Sequence, residues 1–109
     1  MRRLIGETRE DRQGATQRAI ALVVRRRMTA KRLRQTDVAR WSGLSRSFVQ
    51  QVLRGESCSS LVVLLELSTG LRIEDDCEFL REVIAQRDEF RAILSARAHA
   101  PTDPTSSDA

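Results

Sequence analysis

The chain has 109 residues, 40% hydrophobic and 31% charged, which bounds it to one small domain plus an appendage. No run approaches the roughly 18 consecutive apolar residues of a membrane span, and the basic start MRRLIGETRED lacks the apolar centre of a secretory signal. Residues 1–56 hold 14 Lys/Arg and 5 Asp/Glu, a balance of +9, whereas residues 57–109 hold 5 and 10, a balance of −5.

A basic half joined to an acidic half suits a polyanion on one face and a different contact on the other, although composition alone fits an unevenly charged solvated surface equally well. Cys58 and Cys77 form neither a CxxC pair nor a Cys/His cluster, and they read as free thiols of a reducing cytoplasm.

Residues 1–15 mix charge with two glycines and read as a basic flexible segment, helical only near its end. From Thr16 the period is helical. Ile20, Val23, Val24 and Met28 share one face, and Arg25, Arg26 and Arg27 point mostly outward. Leu33 closes a short connection. A second helix runs from Thr36 to Trp41 with Val38 and Ala39 inward, and Ser42-Gly43 stops it, because glycine takes the left-handed turn at little steric cost.

Ser45 caps a third helix of about two turns, whose inner face is Val49, Val52 and Leu53 and whose end is Gly55. The run LVVLLEL at 61–67 suits a strand or a helix by period. A cap at Ser59-Ser60, the spacing of Leu61, Leu64, Leu65 and Leu71, and the lack of a partner strand favour helix, with Gly70 ending or loosening it. Residues 75–99 form the longest helix, without Gly or Pro. Phe79, Leu80, Val83 and Ile84 serve its own core, and Phe90, Ile93 and Leu94 lie where that core runs out. Residues 100–109, rich in Pro, Ser and Asp, read as a disordered tail.

The stretch QTDVARWSGLSRSFVQQVLRGE, residues 35–56, is the most informative. A small Ala39 where two helices approach, Gly43 where the backbone turns, and Leu44, Val49 and Val52 plugging the angle make the helix-turn-helix of DNA readers. On these residues, and on CSSLVVLLELSTGLRI after them, residues 20–74 resemble the lambda-repressor-like, Cro-type (XRE) helix-turn-helix family. The resemblance covers about half the chain. It implies an all-α, five-helix DNA-binding domain over residues 16–74, followed by a long dimerisation helix. Two positions depart from the pattern. Arg34 stands where a Thr cap is common, so a cap worth about 1 kcal/mol is lost or moved. Leu53 stands where an acid is common.

The resemblance implies a sequence-specific, double-stranded DNA-binding transcriptional regulator. Its expected form is a homodimeric repressor on a palindromic operator, in the cytoplasm of a bacterium or encoded by a phage or mobile element. Arg46, Ser47, Gln50 and Gln51 would meet base edges, since Arg pairs bidentately with guanine and Gln with adenine. Gln35, Arg34, Ser45, Arg54, Ser59 and Ser60 would meet the backbone, aided by the Arg25–Lys31 cluster. Phe90, Ile93 and Leu94 would form the dimer contact. Trp41 reads as a partly buried wedge rather than a stacking platform.

No cofactor, metal or membrane is implied. An enzyme is disfavoured, because His99 is the single histidine, no nucleophile–base set assembles around the core, and no phosphate-cradling GxxxxGK run exists. The alternative is an antitoxin or antiactivator that binds a protein partner through its C-terminal half and regulates its own operon.

Overall fold

A computed structural model describes residues 8–56 and 60–98, which form five α-helices and no strand. Helix α1 (Arg9–Lys31) starts well before the expected Thr16. Thr8 caps it reciprocally: its hydroxyl accepts from the Asp11 backbone N–H at 3.0 Å, and its own N–H donates to the Asp11 carboxylate at 3.2 Å. Residues 9–15 therefore belong to a capped helix rather than to the flexible segment expected there. Residues 1–7 and the tail at 100–109 lie outside the described residues, as do Cys58, Ser59 and His99.

Helix α1 is central. Ile20, Val23 and Val24 are buried as their spacing predicts, but Ala15, Ala19 and Ala21 are buried too, so α1 is covered on more than one face. It packs against the third helix on one flank and the fifth on the other. A helix wrapped this way carries no sharp amphipathic stripe, so the run of large apolar residues marks only part of its buried surface.

Helix α2 (Gln35–Ser42) and helix α3 (Arg46–Leu53) meet at Gly43, whose φ of +79° lies in the left-handed region. The Gly43 N–H donates to the Ala39 carbonyl at 3.0 Å, closing α2. Helix α4 (Leu61–Gly70) lies across α2. Its inward residues are Leu67, Ser68 and Gly70, with Val63 and Leu64 half-buried. Leu61 and Leu65, two of the leucines whose spacing marked the helix, are exposed, and Leu61 and Val62 are 60% and 67% accessible. Gly70 ends the helix, as expected, and it also sits at the crossing with α2, where a side chain would strike Val38 and Ser42.

Helix α5 (Asp76–Ala98) starts where Asp75 accepts from the Cys77 and Glu78 backbone N–H groups at 3.0 and 3.3 Å. It runs along α1, joining Phe79 and Val83 to the core and placing Leu80 and Phe90 against it. The residues expected to form a dimer contact are thus partly used within one chain. Phe90 packs on the core beneath the Arg18 guanidinium, 5.8 Å from the ring centre, and Leu94 is half-buried. Ile93 remains 43% exposed. The packing of α5 along α1, which brings Glu82 to Arg27 and Phe90 to Arg18, explains the difference. No helix among the described residues is long and apolar enough to cross a membrane.

Candidate nucleic-acid interface

Helix α3 is held from behind by Val49, Val52 and Leu53, all buried in the core, with Phe48 and Leu44 half-buried at its flanks. Ser45 caps it, its hydroxyl accepting from the Phe48 N–H at 3.0 Å. Its far end is pinned to α1, where the Arg25 guanidinium donates to the Leu53 carbonyl at 2.8 Å. An eight-residue helix would be marginal alone; this one is fixed at both ends and along one side.

The opposite side carries Arg46, Ser47 and Gln51, all exposed, with Gln50 half-buried beside them. None of the four side chains makes a hydrogen bond or ion pair with another described residue. In particular, Arg46 does not pair with Asp37, whose carboxylate is engaged elsewhere. The first turn of α3 contains no acid. The outward face of α3 thus offers an unpaired guanidinium, two carboxamides and a hydroxyl, groups able to bond base edges or phosphates.

The neighbouring polar groups divide into occupied and free. Arg34 supplies no side-chain cap to α2, and the missing Thr is replaced from within the helix: the Asp37 carboxylate accepts from the Arg34 backbone N–H at 2.9 Å. The Arg34 guanidinium stays largely in solvent, 3.5 Å from Asp37. Gln35, the first residue of α2, is half-buried. Arg54 pairs with Glu56 at 3.2 Å, an exposed contact of little strength. Ser60 caps α4 by accepting from the Val63 N–H at 3.3 Å.

The expected Arg25–Lys31 counter-charge cluster is only partly available. Arg27 is drawn to α5, 2.8 Å from Glu82 and 3.7 Å from Glu78. Lys31 donates to the Leu71 and Arg72 carbonyls at the end of α4. Arg26 and Arg32 remain exposed. Trp41 is partly buried, 36% exposed, with the Arg72 guanidinium 4.6 Å over its ring. Among the described residues no cluster of three His, Cys, Asp or Glu stands ready to hold a metal ion.

The Arg34 backbone N–H holds the Asp37 carboxyl below the ordinary aspartate range, with the Arg34 and Arg40 charges adding to the effect and partial burial opposing it. A carboxylate whose pKa falls on folding contributes stability above its unfolded value, about 3.9, and loses it as pH drops through the lower folded value. Asp37→Ala should therefore unfold more readily than the parent at neutral pH, with the gap closing below about pH 4. Urea titrations at a series of pH values measure this; a constant gap down to the acid end would remove Asp37 from its capping role.

The sequence pointed to Arg46, Ser47, Gln50 and Gln51 together, and they share one helix face. It missed the two anchors behind them, the Asp37 cap and the Arg25–Leu53 bond. The acid three residues after Arg34 signals the first; no sequence signal marks the second. No protein-family model, curated protein or solved structure matches this chain.

Proposed function

We propose that the protein is a sequence-specific double-stranded DNA-binding regulator of the lambda-repressor-like type, acting as a homodimeric repressor on a palindromic operator. The observation that supports this best is the unpaired outward face of α3, held rigidly by the corner at Gly43. In this reading the amino end of α3 enters the major groove. Arg46, Ser47 and Gln51 meet base edges, while Gln35, Arg34 and Arg54 meet phosphates. Ser45 and Ser60 add backbone contacts through hydroxyl protons that their capping bonds leave free. Each phosphate contact steepens the fall of affinity with salt by about 0.9 in the log–log slope. Ile93, the most exposed of the three dimer candidates, is the residue left to contact a second copy.

A protection footprint on the DNA upstream of the protein's own gene tests the proposal. Two protected half-sites about 34 Å apart are expected for a dimer. Arg46→Ala and Gln51→Ala should each cost about 1–3 kcal/mol at one base position. Uniform weakening across all sequences would make them phosphate contacts instead, and failure to bind any duplex at low ionic strength would end the proposal. The second reading, an antitoxin or antiactivator, is favoured by the exposed apolar stripe Leu61, Val62 and Leu65 on α4. Its protein-binding part would survive that failure, whereas regulation of its own operon would not.

A further inference from the structure

A cleft of about 310 Å³ opens between the second half of α1, the turn into α2 and the end of α3. Its floor is apolar, made by Met28, Leu33 and Leu53, and its rim is polar, made by Arg25, Thr29, Arg32 and Gln35. The lining contains two guanidinium groups and no carboxylate. Arg25 gives one N–H to the Leu53 carbonyl, and a guanidinium has further donors to spare. Thr29, Arg32 and Gln35 make no side-chain hydrogen bond or ion pair with another described residue. Arg32 holds its left-handed backbone, φ +56°, at the rim.

Arg25 lies on α1 and Arg32 is the left-handed residue that caps its end, seven positions on, with Met28 and Thr29 between them in the chain. The lining therefore sets two cations beside an apolar floor. Its volume lies at the small end of the range for ligand sites.

We propose that this cleft binds a small organic dianion with an apolar middle, the chemistry of a short-chain dicarboxylate. One carboxylate meets Arg32 and Gln35, the other meets Arg25, and the methylenes lie on Met28, Leu33 and Leu53. A simple inorganic anion leaves the floor unused, and a neutral apolar molecule leaves the donors unpaired. Binding itself does not depend on the DNA reading. One consequence does: the dianion occupies Gln35, to which that reading assigns a phosphate, so it weakens duplex binding.

The test is a methyl-resolved NMR titration of the full chain with adipate, run beside acetate and hexanediol. Adipate should shift the Met28, Leu33 and Leu53 methyl signals saturably in the low millimolar range, on the order of −4 kcal/mol, and the two controls should not. Arg32→Gln should weaken adipate about tenfold and leave the rest of the spectrum in place, since that side chain supports no part of the fold. Equal shifts with acetate, no saturable shift at these methyls, or unchanged affinity in Arg32→Gln would each overturn the proposal. In the duplex arm, adipate should release DNA from the parent and less from Arg32→Gln. A chain that binds no duplex at all would defeat the DNA reading, while the methyl titration still decides the cleft.

Discussion

Replacing Gly70 by alanine should lower the unfolding free energy by about 2 kcal/mol, and replacing it by valine should abolish a stable fold. A Cβ at this position would stand 2.7 Å from the Val38 carbonyl oxygen and 2.8 Å from Ser42 Cβ. Neither is the loose end of a long side chain. Ser42 is itself buried, its hydroxyl accepting from the Leu44 N–H at 3.1 Å across the corner. To admit a methyl group, α2 has to move off α4, and overpacking of this kind costs about 1–3 kcal/mol or more. That strain outweighs the roughly 1 kcal/mol that alanine gains over glycine in a helix.

Gly14 is the contrast, because a Cβ there meets only the flexible end of Arg18, at 3.5 Å. Gly14→Ala should therefore stabilise the protein by about 0.5–1 kcal/mol. Urea titrations of the two variants should move in opposite directions. A neutral Gly70→Ala would mean that α2 and α4 are not in close contact in solution.

A chain cut after Glu74 should be unfolded, although it keeps every residue of the helix-turn-helix and its neighbours. Phe79 and Val83 are buried in the same core as Val23, Val38 and Leu67. Leu80 and Phe90 pack against it as well. At about 1.5–3 kcal/mol for each fully buried side chain, the loss exceeds about 5 kcal/mol, which is the whole stability of many small domains. The cut also exposes the alanine face of α1. Circular dichroism and the dispersion of amide proton signals measure the result. A helical, well-dispersed truncated chain would show that α5 is an attachment rather than a wall of the core.

The helix-turn-helix stretch was the most readable part of the sequence, because its constraints are local. Gly43 is needed for a left-handed turn, Ser45 for a cap, and Val49, Val52 and Leu53 for one side of a short helix; the structure has each of them in that role. The ends of the molecule were less readable. Thr8 and Asp11 form a capping box that a reading led by composition and glycine content passes over. Ala15 and Ala19 are buried because α1 and α5 lie close, and alanine gives no apolar signal strong enough to reveal a second buried face.

Which side of α5 meets α1 also could not be read from the chain, and this left Phe90 and Leu94 without a visible neighbour. The inward face of α4 was illegible for a different reason. Nearly every position in LVVLLEL is apolar, so periodicity cannot say which side faces in; the answer depends on Gly70, whose small size sets which face meets α2. The face of α3 was legible as a set of residues, but its freedom from partners was not, since that depends on where the acids of the other helices fall in space.

The pairing of α1 with α5 bears on how the protein is made. On the ribosome, α1 to α4 emerge while the strip of α1 meant for Phe79 and Val83 is still bare. Joining helices so far apart in sequence closes a long loop, and the entropy of that closure is met only when the last helix arrives. Until then the corner at Gly43 has no settled core behind it, so a nascent chain stays structurally immature until synthesis has passed well into α5.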